Sequence, residues 1–184
     1  AAGKTVFAQI VDWIHPEQFR RCFVRYHGNY KVRNFPCWEQ FLAMAFAQVT
    51  YRESLADLEI CLRARPDQLY HMGFRSSVAH STLADANATR DWRIFADLAK
   101  DDRRIKHFFG TSDTAVRTQV WIAICVYVLV AIIRKELRLK LSLSQILPVL
   151  SVNPFEQVPL PELLANMPSS NDLHNTCNQL MLWH

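Results

Sequence analysis

The sequence predicts an all-α fold, with an N-terminal helical module that contains a helix-turn-helix-like unit, then a long apolar helix and short C-terminal helices. Apolar residues recur at spacings of three and four along the chain, and no segment reads convincingly as a strand. Half of the 184 residues are apolar, which is enough for a substantial core. Residues 120–133 are all apolar or aromatic, but this run is shorter than the roughly 18 residues needed to span a bilayer. It therefore predicts a helix that is buried on all sides.

The composition indicates which partners, covalent links and cellular setting to expect for this protein. The net charge is +4, and the positive excess within the first 34 residues weakly favours a polyanionic partner. Five cysteines are an odd number, and they lack a CxxC pair or a zinc-ligand spacing, so neither a disulfide framework nor a zinc site is indicated. This cysteine usage and the absence of a signal pattern favour a reducing, cytoplasmic setting.

The first helices follow from apolar spacing and proline positions. Val6, Ile10 and Ile14 lie four residues apart and predict a helix, and Pro16 ends it and opens a second one. Pro36 then precedes a strong helix whose inner side carries Trp38, Phe41, Leu42, Ala45, Phe46 and Val49. We expect this helix to lie in the core.

The next helix ends are predicted from capping signals. Thr50 followed by Glu53 fits a capping box, which would start a new helix near Tyr51. Pro66 closes that helix, and Gly73 follows a further single turn as a left-handed terminator would.

The segment 75–90 is rich in groups that can bind phosphates and base edges. Ser81 or Thr82 is predicted to cap a helix whose buried side includes Leu83, Ala86, Ile94 and Leu98. A helix, a basic turn and a hydroxyl-capped helix follow one another in the order of a helix-turn-helix. Serines before a helix are also common for capping alone, so the residues by themselves favour a capped helix with a polar outer face.

A charged stretch, KDDRRIK at 100–106, marks the predicted domain boundary. We divide the chain into an N-terminal helical region at 1–99, a C-terminal helical region at 100–168 and a polar tail at 169–184. The second region should contain a long helix from about Thr114 to Leu137, a short helix at 142–150 and another that begins near Pro159.

No catalytic arrangement stands out. Asp101, Asp102 and Glu136 occur in a suggestive order, but adjacent aspartates point apart and Glu136 lies in a helix-ending RKEL segment. Two-metal phosphoryl transfer needs carboxylates that converge on ions about 4 Å apart. We predict no catalytic residue, no metal site and no cofactor for this chain.

Three stretches carry a family resemblance: YRESLADLEICL at 51–62, the segment 73–99 with GFRSS, HSTLADAN and RDWRIFADLA, and RIKHFFGTSDTAVRTQVWIAICVYVLVAIIRK at 104–135. In these the chain resembles DDE-class bacterial insertion-sequence transposases of the insertion-sequence-four type. Residues 4–99 resemble the family's N-terminal region, and residues 100–150 resemble the end that follows its catalytic core.

The resemblance implies a transposase from which the catalytic core is missing. In the family, a ribonuclease-H-like core with three acidic residues binds a divalent metal such as Mg²⁺ and cleaves transposon ends. Lys100 resembles the last lysine of the family's post-core signature, whereas Arg93 stands where its glutamate is expected. We therefore expect a truncated DNA transposase without strand cleavage of its own.

The resemblance also implies that the N-terminal region reads double-stranded DNA at terminal inverted repeats. On that basis the predicted DNA-binding residues fall into phosphate contacts, deeper groove contacts and a second, non-specific contact. The phosphate contacts are Arg75, Ser76 and Ser77, the deeper groove contacts are Thr82, Asn87 and Arg90, and the non-specific contact is Lys31 and Arg33. Ser81 is a further predicted DNA-binding residue.

Other interpretations stay open. The chain could pair with full-length transposase through the helix at 114–137 and inhibit it, could act with a core supplied elsewhere, or could be a non-functional remnant. The apolar run 120–133 would pack against the missing core in the family. Here it needs the N-terminal helices or a second copy of the chain to cover it.

Overall fold

The computed structural model describes residues 3–101 and 114–165, and within these ranges the chain is all-α, as predicted. The first five helices are α1 (Val6–Val11), α2 (Pro16–Arg25), α3 (Cys37–Val49), α4 (Leu55–Arg63) and α5 (Pro66–His71). They are followed by α6 (His80–Thr89), α7 (Arg93–Asp101), α8 (Thr114–Glu136), α9 (Leu143–Val152) and α10 (Leu160–Ala165). The predicted polar tail and most of the charged stretch 100–106 lie outside the described residues.

Helices α3 and α8 are central to the fold. Helix α3 is buried on nearly all sides, as its apolar pattern predicts, and α8 packs against α1, α3, α6, α7 and α9. The rings of Trp92 and Trp121 stack at 6.4 Å where α8 passes the start of α7. The N-terminal helices therefore provide most of the cover that the apolar run requires.

The prediction that the run 120–133 is buried on all sides is wrong at Tyr127, which is 55% exposed. Val116, which precedes the run on α8, is 49% exposed. Helix α8 is long and apolar enough to cross a membrane by length and composition, but half of its most apolar window is buried inside the fold. Core helices of soluble proteins pass the same test, so this is weak evidence for a membrane span.

The segment after α9 returns to the first helix. The backbone amides of Val6 and Phe7 donate to the carbonyls of Glu156 (2.7 Å) and Pro154 (3.1 Å). The side chain of Gln9 donates to Val158 O and accepts from the amide of Leu160, both at 2.8 Å. One buried apolar cluster therefore includes helices from both sides of the predicted boundary at residue 100.

The capping box at Thr50 and Glu53 is not formed, and that prediction is wrong. Helix α3 runs to Val49, Tyr51 takes a left-handed conformation (φ 54°), and the amide of Arg52 donates to Ala47 O at 2.9 Å. This is a Schellman ending, after which the chain restarts later than predicted. Ser54 caps α4 by accepting from the amide of Asp57 at 3.1 Å.

The prediction that Ser81 or Thr82 caps the next helix is also wrong. Helix α6 starts at His80, so both hydroxyl residues lie in its first turn and neither caps it. It ends at Thr89, and a separate helix α7 begins at Arg93. By contrast, Gly73 follows α5 with a positive φ of 94°, as predicted.

Candidate nucleic-acid interface

The loop of residues 26–36 between α2 and α3 is held by backbone features that its sequence only partly reveals. His27 is left-handed (φ 53°), and the amide of Gly28 donates to Phe23 O at 2.8 Å to close α2. Asn29 Oδ1 accepts from the amide of Cys37 at 2.8 Å and fixes the start of α3. These contacts hold the loop in one conformation, so its outer surface is well defined.

The outer surface of this loop carries the predicted residues Lys31 and Arg33. Both are exposed, and no ion pair to either is formed within the described ranges. Tyr30, which the sequence analysis did not select, is 70% exposed, and Lys31 Nζ lies 5.2 Å from the centre of its ring. A pair of exposed cations beside an exposed ring is suited to phosphate contact with stacking nearby.

A groove separates this loop from α6. Its volume is about 440 Å³, and its lining includes Tyr30, Val32 and Phe35 from the loop and Thr82 and Thr89 from α6. We call it the α6 groove. It places the predicted residue Thr82 beside the loop that carries Lys31 and Arg33, although 49 residues separate Arg33 from Thr82 in the chain.

The N-terminus of α6 is partly occupied by an acidic side chain. Glu59 on α4 accepts from the amide of His80 at 3.0 Å and is also 3.2 Å from Arg63. Ser81 and Thr82 are exposed in the same turn. A phosphate at this helix end would therefore face Glu59, so phosphate contact is better provided by side chains than by the helix end alone.

The predicted residues Arg75, Ser76 and Ser77 are exposed in the segment between α5 and α6. Arg75 does not line the α6 groove. Its Nε lies 4.0 Å from Glu39 Oε1 at a second cavity between α1, α2 and α3. The structure therefore separates the predicted residues into two surface regions.

Asn87 points into the fold, which corrects the expectation that it reaches a DNA groove, whereas Arg90 is half-buried and lines the α6 groove. Asn87 is 2% exposed, and its amide accepts from Gln40 at 2.8 Å and donates to the sulfur of Met44 at 3.3 Å. Arg90 donates to Gln40 Oε1 at 3.0 Å and to the carbonyl of Phe35, and its guanidinium lies over the Phe35 ring. Burial lowers the pKa of Arg90, and both residues connect α6 to α3.

Glu39 is the most unusual charged group near these residues. Its side chain is 2% exposed, and neither oxygen accepts a hydrogen bond from the described part of the chain. Burial raises the pKa of Glu39, while the nearby Arg75 acts in the opposite direction. Its position three residues after Pro36, on a helix start, reads from sequence as an ordinary first-turn acid.

Several cations of α2 are neutralised by acids within the fold. Arg20 is bound through two 2.7 Å hydrogen bonds to Glu17, and Arg25 lies 2.6 Å from Asp97 on α7. The charge run RKELRLK lies at the end of α8. Its four cations are all exposed: Arg134, Lys135, Arg138 and Lys140. This basic patch was not among the predicted contacts, although the charge run itself was a visible signal.

The described residues contain no group of three or more His, Cys, Asp or Glu side chains that could hold a metal ion. Glu136 is exposed, and the side chains of Asp101 and Asp102 lie outside the described part. Within the described residues, Glu136 therefore belongs to no candidate metal site.

Comparison with protein families identifies the first part of the chain. Residues 2–75 match the family described as "Domain of unknown function (DUF4372)". The match covers about two fifths of the chain, from α1 to Arg75, and domains of this family are commonly found in transposase-like proteins. No curated protein and no solved structure matches the chain. The DUF4372 domain contains Lys31, Arg33 and Arg75, whereas α6 lies beyond it.

Proposed function

We propose that this chain is the DNA-binding part of a truncated DNA transposase, which docks on the terminal inverted repeats of a transposon and does not cleave strands itself. The observation that carries the proposal is the α6 groove. It brings the loop that carries the exposed cations Lys31 and Arg33 next to Thr82 in the first turn of α6, although neither cation lines the groove itself. The DUF4372 match supports a transposase context, and the three resembling stretches supply the insertion-sequence-four type.

The two surface regions suggest a division of roles. Lys31 and Arg33 are placed for phosphate contacts, with Tyr30 beside them. Ser81 and Thr82 offer short hydroxyl groups that can approach base edges or the backbone from the first turn of α6. Arg75, Ser76 and Ser77 form a second, adjoining contact. The exposed Asp85 on α6 disfavours a deep approach to phosphates along that face.

A salt-titrated binding assay tests the proposal. Fluorescence anisotropy should show tighter binding of the full chain to a duplex with the element's inverted repeat than to a random duplex of equal length. Replacing Lys31 and Arg33 together by Ala should weaken binding about tenfold and reduce the slope of log K against log salt by about 2, since each phosphate contact contributes about 0.9.

The matched control removes two positive charges elsewhere. Lys4 and Arg20 are exposed but paired with Asp12 and Glu17, so Lys4→Ala with Arg20→Ala should leave the salt slope nearly unchanged. Equal effects of the two double variants would reject the loop as the contact. Equal affinity for both duplexes would reject inverted-repeat recognition, and Mg²⁺-dependent nicking by the purified chain would reject the absence of cleavage.

A second function is supported by the exposed face of α8. Val116, Val120, Ala123, Tyr127 and Ala131 recur at helical spacing, and each is exposed or half-buried. Such a stripe is suited to pairing with a second chain, either another copy or a full-length transposase that would then be inhibited.

Light scattering tests this pairing. The wild-type chain should be a dimer, and Val116→Asp with Tyr127→Asp should give a folded monomer, because charges would be placed in the contact. Ile60→Asp is a suitable control, since Ile60 is an exposed apolar residue on α4, away from the stripe. A wild-type monomer at about 100 µM, a concentration well above a micromolar Kd, would contradict pairing between copies.

A further inference from the structure

A cavity of about 490 Å³ opens between α1, α2 and the first turn of α3. Its volume falls within the range of small-molecule sites, roughly 300 to 1,000 Å³. Most of its lining is apolar and aromatic, and it includes Ile14, Phe19, Phe23, Trp38, Glu39 and Arg75. We call it the α3 cavity; it is distinct from the α6 groove.

Glu39 gives the α3 cavity its chemical character. Its carboxylate lines the cavity, yet the side chain is 2% exposed and neither oxygen accepts a hydrogen bond from the described residues. A buried carboxylate without donors is costly, so native proteins normally provide a partner for it. Among the described residues no donor serves these oxygens, which leaves them available to a donor that enters the cavity.

The only cation within ion-pair range of Glu39, among the described residues, is Arg75. The Nε–Oε1 distance is 4.0 Å, at the limit of an ion pair, and the Arg75 side chain is 84% exposed. Arg75 is thus a loose neighbour that can move without opening the core. A better-placed cation could approach Glu39 from the cavity.

The aromatic walls suit the body of such a cation. The ring centres of Phe19 and Trp38 lie 5.1 Å apart with a T-shaped arrangement, and Phe23 lies 5.7 Å from Phe19. Phe23 and Trp38 are only partly buried. Aromatic faces attract cations and alkyl chains together, most strongly where water is excluded.

The other charged groups at the α3 cavity already have partners. Asp12 accepts from Lys4 at 2.7 Å, and Arg20 is bound to Glu17 through two hydrogen bonds of 2.7 Å. Glu39 is therefore the charged side chain of this cavity whose hydrogen-bonding capacity is left unused. An anion or a neutral apolar ligand would leave it unsatisfied.

We propose that the α3 cavity binds a small organic cation, an alkylguanidinium or alkylammonium, whose charged end donates to Glu39 and whose alkyl body packs on Phe23 and Trp38. This site is separate from the α6 groove but shares Arg75 with the second proposed DNA contact. Binding displaces Arg75 from Glu39 without requiring a rearrangement of α3.

Isothermal titration of the full chain with n-butylguanidinium and its neutral isostere n-butylurea tests the site. The guanidinium should bind saturably with a Kd of about 1 mM or tighter and change the fluorescence of Trp38, whereas the urea should bind at least about tenfold more weakly. This comparison uses only the wild-type protein, so it does not depend on the folding of any variant.

Two variants locate the binding. Glu39→Gln keeps the shape but removes the charge, and should weaken n-butylguanidinium at least about tenfold, to the level of n-butylurea. Glu53→Gln, an exposed acid outside the cavity, should leave binding unchanged. Equal binding of the two ligands, no saturable binding, or unchanged affinity in a folded Glu39→Gln variant would overturn the proposal.

Discussion

Glu39 is a single residue whose environment makes the stability of the protein depend on pH. Its pKa is raised above the ordinary value of 4.5, chiefly by burial. Between 4.5 and the raised value the folded chain holds a proton that the unfolded chain releases. The free energy of unfolding therefore falls as pH rises through that window, and the destabilisation is complete above it.

We predict that Glu39→Gln raises the free energy of unfolding at pH 7 by on the order of 1 kcal/mol, because it removes a buried charge without donors. It should also flatten the stability profile in the window that begins at pH 4.5 and ends at the raised pKa of Glu39. Urea denaturation followed by circular dichroism at several pH values measures both effects. The exposed Glu53→Gln serves as control, and a Glu39→Gln variant that is less stable than wild type at pH 7 would contradict the argument.

The polar residues of the candidate site show what a sequence can reveal at this scale. The exposure of Arg75, Ser76, Ser77, Ser81 and Thr82 follows from their place in and just after a polar turn. Asn87 and Arg90 were different, since their outcome depends on Gln40. Gln40 lies 47 residues before Asn87 and 50 residues before Arg90, on α3, and its polar side chain faces inward. No local pattern carries this information.

At the scale of elements, helix ends were harder to predict than helices. Three described helices, α2, α3 and α8, end with left-handed residues that are not glycine: His27, Tyr51 and Arg138. In each case the amide of the residue after the left-handed one bonds back to the last turn, as in Leu139 N to Arg134 O at 3.0 Å. With only four glycines in the chain, the usual marker of such endings is mostly missing.

Gly28 has a packing role in the loop between α2 and α3. A Cβ at this position would lie 2.5 Å from Ile94 Cδ1 and 2.7 Å from Cys37 Sγ, both in the buried core. Glycine therefore permits the close approach of the 26–36 loop to α3 and α7. The burial that these contacts create also raises the pKa of the Cys37 thiol to about 11.

We expect Gly28→Ala to destabilise the protein by about 1–3 kcal/mol, because two fully buried side chains must shift to admit a methyl group. Thermal unfolding followed by circular dichroism measures the loss. Ser76→Thr adds a methyl group at an exposed position and should change stability by less than about 0.5 kcal/mol. If Gly28→Ala is as stable as that control, the loop is not packed as closely as the structure indicates.

At the scale of the whole molecule, the all-α class was predictable because most helices carry a strong apolar period. The position of α8 was not. Its apolar run indicated burial, but either the N-terminal helices or a second copy of the chain could have covered it. Only the structure shows that α3, α6 and α7 provide most of the cover. The DUF4372 match ends at residue 75, within a fold whose buried cluster continues through α10. A family boundary and a folding unit therefore need not coincide here.

The shared core leads to a prediction about cooperativity. Ile122 on α8 is fully buried, and its helix packs on α3, which lies at the centre of the N-terminal helices. If residues 3–101 and 114–165 depend on one core, unfolding should be a single transition by both circular dichroism and tryptophan fluorescence.

Ile122→Ala should lower the free energy of that whole transition by about 2–5 kcal/mol, because it leaves a cavity between the two parts. Tyr127→Ala, on the exposed face of the same helix, should cost far less. Two separate transitions, with Ile122→Ala affecting only one, would instead support a division of the chain into independent domains near residue 100.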